Sequence, residues 1–530
     1  MRRTFLIRTF ILVFTCVLAS SFLYAKEATS LTILYTNDLH AQFRPIPASW
    51  LKGKPQIGGF ARLTTLIKQT RAHDKNVILL SAGDVMTGPP VSRLTKGKAI
   101  FDMLNLMKYD AMCLGNHEFD QGWENTVKRI YQADFPVLAA NIFHKGTDIP
   151  FALPCVILRR GKIRIGIIGI LGRHAALETI NKQLVTPLEF RDQIAVLQEW
   201  VPKIRPYVDI LILLAHEGKA GMQSANAEGD PQRKLTKDIQ VASTVPGIDV
   251  LITGHAHRGV ETPIVVPETG TLLVSTYGLS TRLGRLLLTL DPETHKIISH
   301  KGVLIPVLAN RIAPDKEAET RIERWEHKVQ AITDEVIGTT DMALLRDYYR
   351  EFSVGDLVAD AYRKAAGTEI SMTNAGGLRA DIPQGPITVG QILAVYPFEN
   401  PVLRMSVTGK QLLQMLEHGA SLEYGMAQIS GLSCTVDLSR PVGHRVVSAF
   451  VMGKPLKRDQ TYTLATSDYL ADGGDGYTML KKCRKVEPSG AFCTEAIIQF
   501  IRKYRHIRYK ELDRVRVLKA PSLVAHGSGK

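Results

Sequence analysis

The stretch YDAMCLGNHEFD, residues 109–120, decides the reading of this chain. An apolar run of strand length stops at Gly115, and Asn116, His117, Glu118 and Asp120 follow at once. A turn alone needs Gly, Asn or Asp for its backbone geometry. An imidazole and two further carboxyl side chains at one strand end need a chemical reason.

The same transition recurs along the first half. LTILYTN runs into Asp38-Leu39-His40, NVILLSAG into Asp84, ILILLA into His216, and DVLITG into His255-Ala256-His257. From Leu31 to about Ile305 such apolar runs alternate with longer segments of helical period, the pattern of an α/β domain. Neighbouring strands of this architecture bring their carboxyl ends to one edge, the usual ligand-binding edge. Asp38 and His40, and likewise His255 and His257, are two apart and face one side on extended backbone. Carboxylate, amide and imidazole without thiolate suit Zn²⁺, Mn²⁺ or a similar divalent ion.

The ordered set D-x-H, G-D, G-N-H-E, H-E-G and G-H-x-H, each after an apolar strand, resembles the calcineurin-like metallophosphatases. The resemblance implies a four-layer α/β/β/α sandwich holding two divalent metal ions, Zn²⁺ or Mn²⁺. Asp38, His40, Asp84 and His257 would hold one ion. Asp84, as a bridge, would hold the other with Asn116, His216 and His255. His117 completes neither set. In the resembling families a His-Asp pair at this position, here His117 and Asp120, acts on the leaving oxygen.

The second half resembles the C-terminal domain of the secreted 5′-nucleotidase and UDP-sugar hydrolase family through REFSVGDLVAD, NAGGLRADI, YPFENPV, MSVTGKQL and DYLADGGDGY. A nucleotide pocket needs cations for phosphate, a polar hook for ribose and flat apolar faces for the base. By this resemblance Arg346, Arg350 and Arg379 would hold phosphate or ribose oxygens, with Asn374 at the same end. Phe398 and Tyr469 would sandwich the base, and Asn400 and Asp475 would bind base and ribose edges. Tyr469 stands where family members usually have Phe, and Asp472 where Asn is commoner. The implied function is an exported enzyme that hydrolyses nucleoside 5′-monophosphates, with relatives acting on UDP-sugars or 2′,3′-cyclic nucleotides. Two alternatives are a thiosulfohydrolase of the same superfamily and a catalytically dead nucleotide-binding surface protein. The first has no base to stack on Phe398 and Tyr469, and the second is at odds with an intact ligand set.

The fold class expected is therefore α/β (α+β), with five regions. They are a signal peptide at 1–25, a metallophosphatase domain at 26–310, a connecting helix at 311–338, a substrate-binding domain at 339–520 and a disordered tail at 521–530. At 530 residues, with 45% hydrophobic and 22% charged residues, the chain is globular and too long for one core. The connector PDKEAETRIERWEHKVQAITDEV, residues 314–336, places Ile322, Trp325, Val329, Ile332 and Val336 at helical spacing between Pro314 and Gly338. Metals on one domain and a base clamp on the other require closure, with that helix as pivot.

The start carries three arginines, an apolar stretch and Leu23-Tyr24-Ala25, which reads as a cleaved export signal. Arg2-Arg3 also resembles a twin-arginine signal. Cleavage lowers the formal charge from +15 to +12, an excess suited to steering anionic substrates rather than nucleic acid. No later segment has 18 uninterrupted apolar residues, so a periplasmic or secreted monomer or dimer without membrane insertion is expected. Cys483 and Cys493 flank a short loop and are the candidate disulfide.

Overall fold

A computed structural model describes residues 29–219, 221, 230, 233–509 and 513–518. The export signal and the tail fall outside the described residues. Among those described, no helix is long and apolar enough to cross a membrane.

The first domain is built on two six-stranded sheets. In one, Thr29–Thr36, Val77–Ser81, Ala111–Cys113 and Val137–Leu138 run parallel, and Arg282–Leu290 and Ile297–Pro306 extend the sheet antiparallel. In the other, Ile163–Leu171, Ile210–His216, Val250–Thr253 and Leu272–Val274 run parallel between the antiparallel edges Cys155–Arg160 and Ile264–Val265. The strand alternation sorts the side chains into layers. Ile33, Tyr35, Ile78 and Leu80 meet Ile165, Ile167, Ile212 and Leu214 between the sheets. Leu34, Leu79 and Met112 face outward onto helices Phe60–His73 and Lys98–Met107. Ile168, Leu211 and Leu213 face helices Gln193–Ile204 and Thr236–Thr244 on the far side. The central parallel strands are therefore buried on both faces, which explains their near-continuous apolar runs, while the edge strands Ile264–Val265 and Ile297–Pro306 stay largely exposed. The result is the expected four-layer sandwich.

The second domain centres on a five-stranded sheet in the order Gln428–Ser430, Ile370–Thr373, Thr461–Ser467, Pro401–Thr408, Arg484–Phe492. Helices Ser353–Ala366 and Gly409–Ser421 appear where the sequence places them. The latter opens on a capping box in which Thr408 and Gln411 satisfy each other's backbone N–H groups.

Two expectations need correction. The connector helix spans Lys316–Thr333, capped by Asp315, whose side chain accepts from the Ala318 N–H. Val336 continues the helical spacing but begins the strand Val336–Thr340, which pairs with Gly385–Thr388 in the second domain. Ala318, Ile322 and Val329 are buried in the first domain's core, and the Trp325 Nε1–H donates to Asp102 Oδ2 at 2.8 Å. The helix thus belongs to the first domain, and only Asp334–Glu335 separate it from second-domain structure.

The expected disulfide is not formed. All five described cysteines are free thiols. The intervening residues Arg484–Phe492 form a strand lying along Pro401–Ser406 of its neighbour, which carries the two cysteines about 15 Å or more apart along the sheet. Cys483 and Cys493 sit in different hydrophobic clusters.

Candidate active site at the strand ends

The strand ends of the two sheets meet directly. The His216 ring Nδ1, on the second sheet, lies 2.7 Å from the carbonyl oxygen of Ala82 on the first. This approach leaves no room for side chains at the crossing. A Cβ on Gly83 would stand 2.7 Å from the Gly115 backbone nitrogen, and one on Gly115 would stand 2.3 Å from Asp84 Oδ1. Asp38, His40, Asp84, His255 and His257 all adopt left-handed backbone, with φ between 45° and 68°. Such conformations cost on the order of 1 kcal/mol each for non-glycine residues and concentrate at functional sites.

The structure brings every ligand expected from the sequence into one buried cluster. Asp38, His40 and His257 form one group and Asp84, His216 and His255 another, and a third, His40, Asp84 and His117, overlaps both. Asn116 Oδ1 stands 3.1 Å from His216 Nε2 and 2.9 Å from His255 Nδ1, completing the second set. Three observations fit two cations here. His40 Nε2 and His257 Nε2 face each other at 3.0 Å, a pairing of imidazole nitrogens that a shared cation relieves. His257 Nδ1 is buried without a hydrogen-bond partner, the kind of orphaned acceptor a metal satisfies, and Asp84 Oδ2 is buried among imidazoles, with His216 Nε2 at 3.1 Å. Burial pushes His40 and His255 down to about 3, so both stay neutral and keep a lone pair to donate.

Next to the cluster, His117 Nδ1 lies 2.7 Å from Asp120 Oδ2, and the Thr87 hydroxyl donates to the same oxygen at 2.5 Å. Burial opposes the charged imidazole, but Asp120 and Asp84 outweigh it and hold His117 above its ordinary pKa.

One residue of the opening stretch has a part that the spacing did not disclose. The fully buried Glu118 carboxylate accepts four backbone N–H groups, from Asp84 at 3.0 Å, Gly115 at 2.7 Å, Val85 at 2.9 Å and Met86 at 3.2 Å. It ties the end of one strand to the start of the loop after another, and so fixes where the Asp84 carboxylate points. Burial, reinforced by the Asp84 charge, pushes its carboxyl up to about 7 against those donors. Its partners are main-chain atoms, which no side-chain motif reveals.

The second domain closes over this corner. Phe398 stacks on the His117 ring with centroids 5.9 Å apart, and Arg379 Nη2 lies 3.3 Å from His117 Nε2. A pocket between the domains is lined by Asn116, His117 and Asp120 on one side and by Phe398, Asn400, Tyr469 and Asp475 on the other. Asn374 and Arg379 also line it, and Asn374 Nδ2 donates to Asp475 Oδ2 at 2.6 Å. Arg346 and Arg350 do not. They lie in a loop before helix Ser353–Ala366. Arg346 is occupied by Asp381 and the Leu378 carbonyl, while Arg350 is exposed.

Comparison with known proteins agrees with this construction. Residues 31–259 match the family model of calcineurin-like phosphoesterases, and residues 329–482 that of the 5′-nucleotidase C-terminal domain. The snake venom 5′-nucleotidase of Naja atra is 31% identical over 530 residues, covering 89% of this chain and 96% of its own. The chain belongs to the 5′-nucleotidase family. It is an enzyme of the phosphoesterase class, and that class together with the donor cluster implies divalent metal ions. The crystal structure of a 5′-nucleotidase precursor from Thermus thermophilus superposes with a TM-score of 0.80 at 29% identity, covering 93% of this chain and all of its own. A sulfate thiohydrolase from the same organism superposes at 0.73 over 93% of this chain and 97% of its own, but at 22% identity, which establishes a common fold only.

Proposed function

We propose that the chain is an exported, two-metal 5′-nucleotidase, in which water attacks the phosphorus of a nucleoside 5′-monophosphate and the nucleoside leaves. The observation that carries this reading is the meeting of His117 with Arg379 and Phe398 at the mouth of the ligand cluster. It sets a phosphate-chemistry corner against a cation and an aromatic face, the three groups a nucleotide presents partners for.

Asp38, His40, Asp84, Asn116, His216, His255 and His257 would hold Zn²⁺ or Mn²⁺, which would supply the Lewis acidity that neutralises phosphoryl charge and makes a water more acidic. The remaining work falls to the chain's own groups. Asp120 accepts from His117 Nδ1 and so presents Nε2 toward the pocket, where it stabilises or protonates the leaving 5′-oxygen. Arg379 lies half-buried beside it and meets the phosphate or its ester oxygen. Phe398 and Tyr469 take the base between them, Asn400 its edge, and Asp475 with Asn374 the ribose. These groups lie on two domains, so the complete site exists only when the domains meet. The link at Asp334–Glu335 is where rotation would be taken up.

The base clamp separates this reading from the sulfur branch, since a sulfonate on a carrier protein presents no planar ring. Phe398→Ala tests it. The substitution should raise KM for AMP by roughly tenfold or more while changing KM for an aryl phosphate far less. Equal effects on both substrates would make Phe398 a packing residue and remove the support for a nucleotide.

A further inference from the structure

The base pocket is not made by the second domain alone. A short stretch of the first domain, from the end of helix Arg173–Thr179 into the turn Lys182–Val185, lies against it, and Glu178, Asn181 and Leu184 line the same pocket as Phe398 and Tyr469. Within this stretch the contacts to the second domain are dense. The Asn181 Nδ2 donates to Asp468 Oδ2 at 2.8 Å, and the Gln183 Nε2 donates to Asp472 Oδ2 at 3.2 Å. The Tyr469 hydroxyl stands between the Glu178 carbonyl oxygen at 2.7 Å and Asp475 Oδ1 at 2.6 Å, so its one proton joins this segment to the ribose-side carboxylate, and the Tyr424 hydroxyl donates to the Glu178 carboxylate.

Asp468 makes the arrangement specific. Its other oxygen, Oδ1, accepts from Asn400 Nδ2 at 2.7 Å. One carboxylate therefore holds two amides side by side, one from each domain, and both line the pocket. Asn181 is pinned at its other end too, because its Oδ1 accepts from the Gln183 N–H at 3.0 Å. Asp468 takes one of the two protons on the Asn181 amide nitrogen, and the second remains for a ligand.

A nucleobase offers flat faces and a polar edge. Stacking on Phe398 and Tyr469 accepts any base, because every base has such a face. Discrimination requires fixed hydrogen-bonding groups at the edge, since a buried group left unpaired by the wrong ligand is costly. We propose that Asn181 is a specificity residue that reads the nucleobase edge from the first domain, and that the Tyr469 hydroxyl holds its segment in place. This inference rests on the nucleotidase reading. It gives the hydroxyl that distinguishes Tyr469 from Phe a task that stacking does not.

The test uses the full chain reloaded with Mn²⁺. Steady-state kinetics on AMP and on ribose 5-phosphate, which keeps the sugar and phosphate but lacks the base, are compared for wild type, Asn181→Ala and Tyr469→Phe. The ratio of kcat/KM for AMP to that for ribose 5-phosphate should fall about tenfold in each variant, through KM for AMP in Asn181→Ala and, in Tyr469→Phe, beside a smaller loss common to both substrates from the released Asp475 carboxylate. A ratio unchanged in both variants would overturn the proposal, as would parallel losses on both substrates, which would make the segment merely structural. Tyr469→Phe keeps the ring and removes one oxygen, so it stays informative if Asn181→Ala folds poorly. A wild type that prefers AMP strongly, with variants that keep that preference, would sink this inference alone. A wild type with no preference for AMP would sink the nucleotidase reading beneath it.

Discussion

Arg379 Nη2, from the second domain, lies 3.3 Å from His117 Nε2, from the first. Asp120 holds Nδ1 at 2.7 Å and so turns Nε2 toward the pocket, where the Arg379 guanidinium, which has only protons to offer, meets it. The contact marks the point where chemistry and substrate recognition meet. It occurs between residues 262 positions apart.

His117 stands within ligand range of His40 and Asp84, but the two sets implied by the family resemblance do not use it, so its role should be separable from metal binding. His117→Ala is expected to keep its metal content and to lose turnover by at least about 10²-fold. Elemental analysis beside steady-state kinetics checks this. Near-normal turnover would remove His117 from the chemistry, and loss of metal would make it a ligand.

Glu118 should matter as much as a ligand without touching one. In Glu118→Gln, the amide NH₂ would face backbone N–H groups that now donate to a carboxylate, leaving some of them without an acceptor. A cost of about 2–4 kcal/mol in stability is expected from such buried losses, together with weaker metal retention through a displaced Asp84. Thermal unfolding and metal titration of the variant measure both. Wild-type values for each would reduce Glu118 to an ordinary buried acid.

A pH dependence of stability should arise far from the site. Burial pushes the Asp356 carboxyl up to about 8, and neighbouring Glu351 adds to this, against the pull of Arg514. Glu351 stays the acceptor there, taking the Arg514 and Val515 N–H groups at 3.0 and 2.8 Å. The folded chain keeps Asp356 protonated where the unfolded chain, near 3.8, does not. Folding therefore binds a proton between those values, and this contribution to stability is full below about pH 4 and lost as pH rises toward 8. The slope is bounded by about 1.4 kcal/mol per pH unit. Asp356→Asn should flatten the fall of Tm between pH 5 and 8, and an unchanged profile would show that Asp356 ionises normally.

Much of this was legible in the sequence because the catalytic half concentrates its chemistry where strands stop. Asp38, His40, Asp84, Asn116, His117, His216, His255 and His257 could be found as polar residues following apolar runs, and the sheets then had to bring them together. Val336 was misread because a strand beginning directly after a helix can keep the helical spacing by chance. It is exposed, as is Ile332, so neither belongs to the helix's buried stripe. Arg346 and Arg350 were expected at the pocket from the family resemblance alone, and the loop that carries them leaves both outside its lining. Glu118 and the segment around Asn181 were beyond reach, because their partners are backbone atoms or residues some 290 positions away that only the closed arrangement of domains supplies.

The most direct test of the central claim follows, with the purified chain reloaded with Zn²⁺ or Mn²⁺, the release of phosphate from AMP and of sulfate from a thiosulfate-modified peptide. The account predicts fast release from AMP that EDTA abolishes and added metal restores, with no reaction on the peptide. Silence on AMP with both ions bound, or turnover of the peptide instead, would contradict it.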